Sequence, residues 1–380
     1  MALDSNIKVG VDVRILSRPI TGVGRYTLEM CSVLSKMPSI SLYLYSPAPI
    51  LQQYLPYLDE SVIRINNFKS GLMRQLWGES VLPFLARQDQ LDVFWGPAHR
   101  LPFLLPNHIP GVVTIHDLVW KFAPETMRPL SRLLDRKQMP FAISKAKHIV
   151  TDSYATEGAV LEEFKISEDT VTAISLGRSE LPEGGGAEGL LTLGIEGPYF
   201  LFVGTLEPRK NLSSLLLAYA KLAEAHREKA ILVIAGGEGW GDVNLKESII
   251  SMGLENQVKL TGYIDEQALA TLYSNALFLA MPSLYEGFGL PIVEAMSFGT
   301  PVLTSNNSSM PEVVGKGGML IDARSIDSIS SGLQKMITDN DFRGSLAANA
   351  KESASRFDWN QSVRQLVTVF KKVTSEHRKT

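Results

Sequence analysis

The sequence predicts an α/β protein with two Rossmann-like domains, each built on a parallel sheet. Short apolar strands alternate with helical patterns through both halves of the chain, and this alternation is typical of parallel sheets covered by helices on both faces. A glycine-rich segment at 181–197 interrupts the alternation, which then restarts. The length of 380 residues suits two or three domains. We therefore expect two separate α/β units.

The first half opens with a strand, a glycine-rich turn and a helix. Apolar residues alternate through 7–13, the turn TGVGRY follows at 21–26, and helical spacing comes next. Further strands are predicted at 42–45, 93–95, 112–115, 148–151 and 171–174. These elements predict a first domain over 1–185.

The second half repeats the alternation. A strand at 199–203 precedes a helix at 212–225, and further strands are predicted at 230–235, 258–260, 276–281 and 301–304. A helix at 291–298 and an amphipathic helix at 357–373 complete this half. We predict a second domain over 195–360, with a terminal helix at about 363–380 packing back on the first domain.

Composition excludes several classes of protein. The net charge of −3 gives no field that would favour nucleic acid, and the single cysteine, Cys31, excludes a disulfide framework. Neither a secretory signal nor an apolar run of membrane-spanning length is present in the sequence. A cytoplasmic protein is expected.

Two segments leave membrane contact open. The apolar stretch 72–85 reads either as a packed helix or as a helix lying on lipid. Seven basic and two acidic residues in 121–147 read either as solvated helix faces or as a surface for anionic lipid or a lipid diphosphate. A position at the cytoplasmic face of the inner membrane is therefore a hypothesis.

The strongest functional signal is EGFGLPIVEAMSFGTPV at 286–302. Pro291 suits the first turn of a helix and Gly299 its end. The loop 287–290 therefore enters a helix N-terminus, where the helix dipole favours phosphate. Glu286 and Glu294 flank this entry, and carboxylates accept hydrogen bonds from hydroxyl groups. The string predicts a ligand that carries both phosphate and sugar.

Two other segments follow strands of the second half. VGTLEPRKN at 203–211 places Arg209 and Lys210 where they could neutralise a departing diphosphate. AGGEGW at 235–240 places Gly236 where a backbone could approach a ligand closely, and Tyr263 could line a base pocket. Both segments are weaker signals than 286–302.

The first half adds a glycine pair and a histidine. Gly22 and Gly24 stand at the first strand–helix turn, and His116 follows a predicted strand. Clustered metal ligands do not occur in the sequence, and helix capping explains the acidic triplet at 339–341. No metal site is predicted.

Together these strings resemble the retaining glycosyltransferases of family 4, which have the GT-B fold. The most specific mark is the Glu-x7-Glu motif formed by Glu286 and Glu294, supported by TGVGRY, the His-Asp pair at 116–117 and PRKN. VDVRILSRPITGVGRYT and GTLEPRKN are similar to bacterial O-antigen mannosyltransferases. The resemblance implies that the parallel sheets of the two domains face each other across a cleft. It also implies that the first domain, 1–185, binds the acceptor and that the second, 195–360, binds the nucleotide sugar.

The resemblance also implies residue roles. Glu294 would hold the ribose hydroxyls, Glu286 the donor sugar, and Lys210 with Arg209 the diphosphate. Gly24 would approach the diphosphate from the other domain, and His116 would contact the transferred sugar. Other implied donor-binding residues are Gly22, Gly204, Thr205, Gly236, Tyr263, Gly287, Phe288, Gly289 and Leu290. Thr205 stands where many relatives have an arginine, and Arg209 is expected to supply that charge.

The implied activity is retaining transfer of a sugar, mannose from GDP-mannose, to a lipid-linked or oligosaccharide acceptor in O-antigen or surface polysaccharide synthesis. UDP-, dTDP- and GDP-deoxyhexose donors remain alternatives, as do a nucleotide-sugar epimerase and a non-catalytic sensor. The implied partners are the nucleotide sugar and a glycan or polyprenyl-diphosphate-linked acceptor. The family usually needs no bound metal, so no cofactor beyond the co-substrate is expected.

Overall fold

The structure is a computed structural model that describes residues 6–58, 60–68, 70–237, 239–241 and 245–378. The chain divides into two compact units. The first unit comprises Met1–Leu118, Leu130–Gly177 and Asp358–Thr380. The second comprises Val119–Pro129 and Arg178–Phe357.

Thirteen strands are present in the described residues. They are β1 Ile7–Asp12, β2 Ile40–Ser46, β3 Val62–Ile65, β4 Val93–Gly96, β5 Gly111–Ile115, β6 His148–Thr151, β7 Val171–Ala173, β8 Tyr199–Val203, β9 Ile231–Ala235, β10 Val258–Gly262, β11 Leu279–Met281, β12 Val302–Ser305 and β13 Gly318–Ile321. All of the paired strands are parallel.

Fifteen α-helices occur in the same residues, with short 3₁₀ turns between some of them. They are α1 Gly22–Ser35, α2 Gly71–Gln88, α3 Val119–Phe122, α4 Pro129–Lys145, α5 Tyr154–Phe164, α6 Ala187–Thr192, α7 Leu212–Ala220, α8 Glu224–Arg227, α9 Leu245–Ser251, α10 Glu266–Asn275, α11 Leu290–Ser297, α12 Met310–Val314, α13 Ile326–Thr338, α14 Asn340–Ser355 and α15 Trp359–His377. None of these described helices combines the length and the apolar character needed to cross a membrane.

The first unit has a seven-stranded sheet in the order β3-β2-β1-β4-β5-β6-β7. Its central strands are fully buried because helices cover both faces, which explains the continuous apolar runs in β4 and β5. β1 pairs with β2 from Ile7 opposite Ile40 to Asp12 opposite Tyr45. The order reverses between β1 and β4, so their carboxyl ends form the topological switch point of this sheet.

The second unit has a six-stranded sheet in the order β10-β9-β8-β11-β12-β13. Its core joins β8, β9 and β11 to helices α7 and α13, and the rings of Phe200 and Phe278 stack 5.1 Å apart. The switch point lies between β8 and β11. The segments after these two strands, 204–211 and 282–289, are the ones in which the sequence concentrates its functional signals.

The predicted fold class is confirmed, and each predicted strand has a counterpart. Two edge strands, β3 and β13, were not predicted, although three of the four residues in each are apolar. The predicted helix at 212–225 is two helices, α7 and α8. The glycine-rich segment expected as a linker contains helix α6.

The observed units differ from the predicted ranges at two places. Residues 119–129 lie in the second unit, where the ring of Phe122 stacks on Tyr285 at 5.6 Å and Arg128 lies 5.8 Å from the centre of the Trp240 ring. The second unit also begins earlier than predicted, at Arg178. Helix α15 is part of the first unit and packs on α1.

Candidate active site

A buried carboxylate with two cationic partners lies at the switch point of the second unit. Glu286 is only 5% exposed, and its Oε1 accepts a 2.7 Å hydrogen bond from the Nζ of Lys210. Its Oε2 accepts from the guanidinium of Arg209. Arg209 also donates to the Glu207 carboxylate at 2.6 Å and to the Tyr285 carbonyl at 2.9 Å. Two loops distant in sequence therefore meet through an ionic cluster.

The charges of this cluster keep Glu286 ionised. Burial by itself would raise the pKa of the Glu286 carboxyl, but the nearby charges of Arg209 and Lys210 outweigh burial and lower that pKa to about 2. Glu286 is therefore a carboxylate at neutral pH. It can accept hydrogen bonds, but its negative charge is already shared with two cations.

Lys210 keeps donors in reserve. An ammonium group has three N–H donors, and in the described structure the Nζ of Lys210 has one hydrogen-bond acceptor, Glu286. Arg209 is more committed, because its guanidinium already serves two carboxylates and a carbonyl. Lys210 is thus the cation of the pair that is better able to take up a further anion.

Backbone contacts hold the basic loop beside the Glu286 loop. Asn211, in a left-handed conformation at φ +60°, donates through Nδ2 to the carbonyls of Pro282 at 3.0 Å and Ala323 at 2.8 Å. The N–H of Leu284 donates to the carbonyl of Arg209 at 2.8 Å. These bonds tie the segment after β8 to the segment after β11, so Lys210 and Glu286 are positioned by backbone as well as by charge.

The loop 286–289 is anchored from one side by serines and on the other by an aromatic contact. The N–H of Glu286 donates to Ser308 at 3.1 Å, and the hydroxyl of Ser309 donates to the Phe288 carbonyl at 2.9 Å. The Phe288 ring is buried and meets the Phe357 ring edge to face at 5.3 Å. Phe288 therefore serves as an anchor through its side chain, which leaves only its backbone for a ligand.

Helix α11 begins where the sequence predicted a phosphate-favouring N-terminus. Gly289 precedes the helix at φ +103°, a conformation that favours glycine, and Pro291 lies in the first turn. Gly289 has no side chain that could cap the helix. Gly287, Phe288 and Leu290 complete this entry, so the four predicted loop residues lie together beside Glu286.

Glu294 lies on α11 in a separate hydrogen-bonded setting. It is 7% exposed; its Oε1 accepts from the hydroxyl of Ser179 at 2.7 Å, and its Oε2 accepts from the hydroxyl of Tyr273 at 3.0 Å. Both partners are neutral hydroxyl groups, in contrast to the cations on Glu286. Hydroxyl donors are also what a ribose would present.

Backbone contacts join the loops after β8 and β9, and one of them requires the glycine at 236. The N–H of Gly204 donates to the Ala235 carbonyl at 3.0 Å, and the N–H of Gly236 donates to the Gly262 carbonyl at 2.9 Å. A Cβ on Gly236 would lie 1.9 Å from the carbonyl oxygen of Gly204. The sequence predicted that the backbone at Gly236 approaches a ligand closely. In the structure it approaches the backbone of Gly204, so the loops after β8 and β9 pack directly on each other.

Two predicted donor-binding residues of this unit are exposed. The side chain of Tyr263 is 86% exposed, and Thr205 is also on the surface. Thr205 and Tyr263 are therefore accessible to a ligand, but neighbouring protein groups do not enclose them.

The remaining predicted residues belong to the first unit. Gly22 and Gly24 begin α1; a Cβ on Gly24 would lie 2.5 Å from the Cβ of Ile20, whereas Gly22 has open space around it. The turn at Gly24 thus packs closely on its own preceding residues. Contact of Gly22 and Gly24 with the donor diphosphate stays a prediction.

His116 is held on both sides of its ring. Its Nδ1 lies 2.6 Å from Asp152 Oδ2, its Nε2 lies 2.6 Å from the Pro97 carbonyl, and it is 4% exposed. The Pro97 carbonyl can only accept, so Nε2 carries a proton, and Nδ1 shares a proton with the Asp152 carboxyl. Burial lowers the pKa of His116, but the Asp152 carboxylate outweighs burial and raises it. Neither nitrogen is available to a sugar in this arrangement, so the sugar contact implied for His116 stays a prediction.

Sequence reasoning missed the partners that orient these groups. Asp152, Ser179 and Tyr273 were not singled out, although Asp152 directly follows strand β6 and could have been found from the rule that polar residues at strand ends line sites. Ser179 and Tyr273 carry no such signal, because each meets Glu294 only through the fold.

Comparisons with known proteins show the family of this chain. The family described as "Glycosyl transferases group 1" matches residues 193–353. The O-antigen chain mannosyltransferase B of Escherichia coli is 31% identical over 381 residues, which covers 93% of this chain and 96% of that protein. The O-antigen chain mannosyltransferase RfbU of Salmonella typhimurium is 23% identical, with 82% and 86% covered.

Solved structures share the fold at lower identity. Sucrose-phosphate synthase from Thermosynechococcus elongatus superposes with a TM-score of 0.78 at 18% identity, covering 97% of this chain and all of that one. Anabaena HepE in complex with UDP and glucose gives 0.75 at 19% identity, covering 96% of this chain and all of that one.

The two parallel sheets and the ionic cluster at the second switch point define a GT-B protein with a candidate site for a phosphorylated ligand. By its similarity over nearly its full length, the chain belongs to the group 1 glycosyltransferases.

Proposed function

We propose that this glycosyltransferase transfers mannose from GDP-mannose, with retention of anomeric configuration, to a lipid-linked or oligosaccharide acceptor in surface polysaccharide synthesis. The observation that carries the proposal is the cluster in which Lys210 and Arg209 hold Glu286 beside the entry to α11, with Glu294 eight residues further on. The O-antigen mannosyltransferase relatives favour mannose among the hexoses.

Each group of the cluster has a role in this proposal. Glu294 accepts hydrogen bonds from the ribose and Glu286 from the hydroxyls of the donor sugar, while the spare N–H donors of Lys210 bind the diphosphate. As the anomeric C–O bond breaks, negative charge grows on the leaving diphosphate, and a preorganised cation stabilises it.

Glu286 is not the nucleophile in this mechanism. Both of its oxygens are bonded to cations and its pKa is lowered to about 2, so its electron pairs are poorly available for attack on carbon. The acceptor hydroxyl instead attacks from the face that the diphosphate leaves, and a leaving-group oxygen takes its proton. Configuration is thereby retained without a glycosyl-enzyme intermediate.

A donor panel tests the choice of nucleotide sugar. Thermal unfolding is measured with GDP-mannose, GDP, UDP-glucose, UDP-galactose and a dTDP-hexose at equal concentrations, because a ligand stabilises the folded state according to its affinity. GDP-mannose should raise the melting temperature most. A larger shift with a UDP- or dTDP-sugar would overturn the donor assignment, and no shift with any of them would overturn the donor site.

Product analysis tests the reaction itself. With a polyprenyl-diphosphate glycan as acceptor, the one-bond ¹³C–¹H coupling at the new anomeric carbon should show the configuration of the donor. The opposite configuration would contradict retention. Conversion of the donor to an isomeric nucleotide sugar without acceptor would favour the epimerase alternative.

The proposal requires no metal ion. Lys210 and Arg209 place at the diphosphate the positive charge that a divalent cation would otherwise supply. Transfer should therefore proceed at an unchanged rate in excess EDTA. A loss of activity that Mg²⁺ or Mn²⁺ restores would contradict this part.

Peripheral contact with an anionic membrane is part of the same proposal. Met73, Leu76 and Phe84 are exposed on α2, and Leu130 is exposed on α4, which also carries basic side chains. The protein should float with anionic liposomes at low salt, and Leu76→Ser with Phe84→Ser should weaken flotation. Failure of the unaltered protein to float would contradict membrane contact without affecting the donor site.

A further inference from the structure

A cavity lined by charged, polar and aromatic side chains lies at the switch point of the first unit. Its place is equivalent to that of the cluster of Lys210, Arg209 and Glu286 in the second unit, here called the donor cluster. The cavity has a volume of about 220 Å³. Asp12 ends β1 and Arg14 follows it, while Arg100 and Phe103 lie in the segment after β4. Open parallel sheets bind ligands outside the carboxyl ends of the strands that flank such a point.

The cavity has more positive charge than its own carboxylates neutralise. Arg14 forms an ion pair with Asp12, with its Nη2 atom 2.6 Å from Oδ2 of that residue. Glu79 accepts the N–H of Phe103 at 2.6 Å. Arg100 and Lys137, which also line the cavity, have no hydrogen-bond or ion-pair partner for their side chains in the described part of the chain. Asp12 and Asp135 lie near enough to act electrostatically on Arg100, but neither forms an ion pair with it, so both cations can still bind an anion.

An acceptor and an aromatic wall lie beside these cations. The Oε1 of Gln138 is buried and has no hydrogen-bond partner in the described structure, so a donor from a ligand would satisfy it. The rings of Phe103 and Phe141 lie 4.9 Å apart, and both line the cavity. A hydroxyl donor with an apolar face is the chemistry of a sugar ring.

We propose that this cavity binds the phosphate-bearing sugar of the acceptor, with Arg100 and Lys137 on the phosphate, Gln138 Oε1 accepting from a sugar hydroxyl, and the ring against Phe103 and Phe141. This inference rests on the proposed transferase function. The cavity is smaller than the roughly 300–1,000 Å³ of typical ligand pockets, so it suits one sugar phosphate at the reducing end of the acceptor and not an oligosaccharide.

Binding of simple sugar phosphates tests the proposal directly. The full-length protein is titrated calorimetrically with the 1-phosphates of glucose, galactose and N-acetylglucosamine, with saturating GDP present to occupy the donor site. At least one should bind, and its neutral parent sugar should bind far more weakly. Arg100→Gln should reduce the affinity by about 10- to 100-fold, the effect of losing a charge-assisted hydrogen bond.

Three further variants separate specific from general effects. Lys137→Gln alters an exposed side chain, so it should fold normally and also weaken binding. Gln138→Leu should weaken binding of the sugar phosphate but leave inorganic phosphate unaffected. Lys36→Gln removes an equal charge between α1 and β2, at the amino ends of the strands and so away from the cavity. It should leave the affinity for sugar phosphates unchanged.

The outcomes distinguish this inference from the proposed function. If GDP still stabilises the protein but sugar phosphates bind nowhere, or bind Arg100→Gln equally well, the inference fails and the donor site stands. If inorganic phosphate binds as tightly as every sugar phosphate, the sugar assignment fails. If phosphatidylglycerol vesicles bind through Arg100 and sugar phosphates do not, the cavity is a lipid headgroup site and the inference is overturned.

Discussion

Glu286 and Glu294 are both buried acids of one motif, yet their surroundings give them different properties. Glu286 is bonded to two cations, and Glu294 to two hydroxyl groups. In the proposed function, the first arrangement provides a charged site for the diphosphate and the donor sugar, and the second provides a neutral site for the ribose hydroxyls. The chemistry of each acid is therefore decided by the side chains that face it.

Removing Lys210 tests the charged site. Lys210→Ala should lower kcat/KM by about 10²- to 10³-fold, because the leaving diphosphate loses its spare donors. The fold should survive, since Arg209 still holds Glu286. Steady-state kinetics with thermal unfolding measures both effects.

Lys221→Ala is the matched control for that variant. Lys221 is an exposed lysine of the same unit, paired with Asp327, and exposed ion pairs contribute little. Equal losses in the two variants, or full activity in Lys210→Ala, would be incompatible with the proposed role.

The ionisation of Glu286 makes a prediction about pH. Its folded-state pKa of about 2 lies below the ordinary value of 4.5, so its ionic bonds stabilise the protein fully above pH 4.5 and are lost as the pH falls towards 2. Glu286→Gln should therefore be less stable than the unaltered protein at pH 7, by roughly 1–3 kcal/mol.

That stability difference should narrow between pH 4.5 and pH 2, because the carboxyl of the unaltered protein becomes protonated there. Denaturant unfolding at a series of pH values measures it, with Asp327→Asn as a control for an exposed pair. A difference that stays constant across this range would show that Glu286 has no linked ionisation.

At the scale of the element, the entry to α11 depends on backbone geometry. Gly289 adopts φ +103°, and a Cβ there would come within 3.1 Å of Ile292 and 3.2 Å of Met281. The neighbouring loop is secured by Ser308 and Ser309, so the turn has little freedom to adjust. We therefore expect the loop and the helix to hold one fixed geometry when a ligand binds.

Gly289→Ala tests this rigidity. It should destabilise the protein by about 1–2 kcal/mol through the left-handed backbone and should weaken stabilisation by GDP-mannose as well. Gly344→Ala, within α14 and with open space around its Cβ, should instead be neutral or stabilising by up to about 1 kcal/mol. If Gly289→Ala behaved like Gly344→Ala in both unfolding and ligand binding, the geometric requirement would be refuted.

At the scale of the whole molecule, the two sheets follow one plan. Each reverses its strand order beside its first strand, between β1 and β4 in one unit and between β8 and β11 in the other. Cationic side chains follow β1 and β4 in the first unit, and Arg209 and Lys210 follow β8 in the second. We therefore propose one anion-binding position in each unit.

Calorimetry and limited proteolysis of the full chain test whether the donor binds to the second unit. The donor cluster lies wholly within Arg178–Phe357, so GDP-mannose should stabilise that unit, by about 2.7 kcal/mol at a concentration 100 times its Kd. Peptides of this unit should become resistant to proteolysis at concentrations that leave peptides of the first unit unchanged. Protection confined to the first unit would contradict the assignment.

Periodicity and local motifs were enough to predict most strands of this protein and its main acidic motif. Strands such as β1 and β8 follow from runs of apolar residues, and the 286–302 string follows from the needs of one loop and one helix. The edge strands β3 and β13 were missed, although each has three apolar residues in four. Local sequence therefore determined the class of fold and the main acidic motif.

Only the tertiary structure decided which side chains face each other. Ser179 reaches Glu294 across 115 positions, Lys210 reaches Glu286 across 76, and the cavity around Arg100 draws on two strand ends and two helices. Distances between such remote segments set the pKa of Glu286. They also decide that Arg100 has no ion-pair partner and that Gln138 Oε1 has no hydrogen-bond donor in the described residues. These distances arise only when the sheets form and their strand ends converge, so no local pattern in the sequence could specify them.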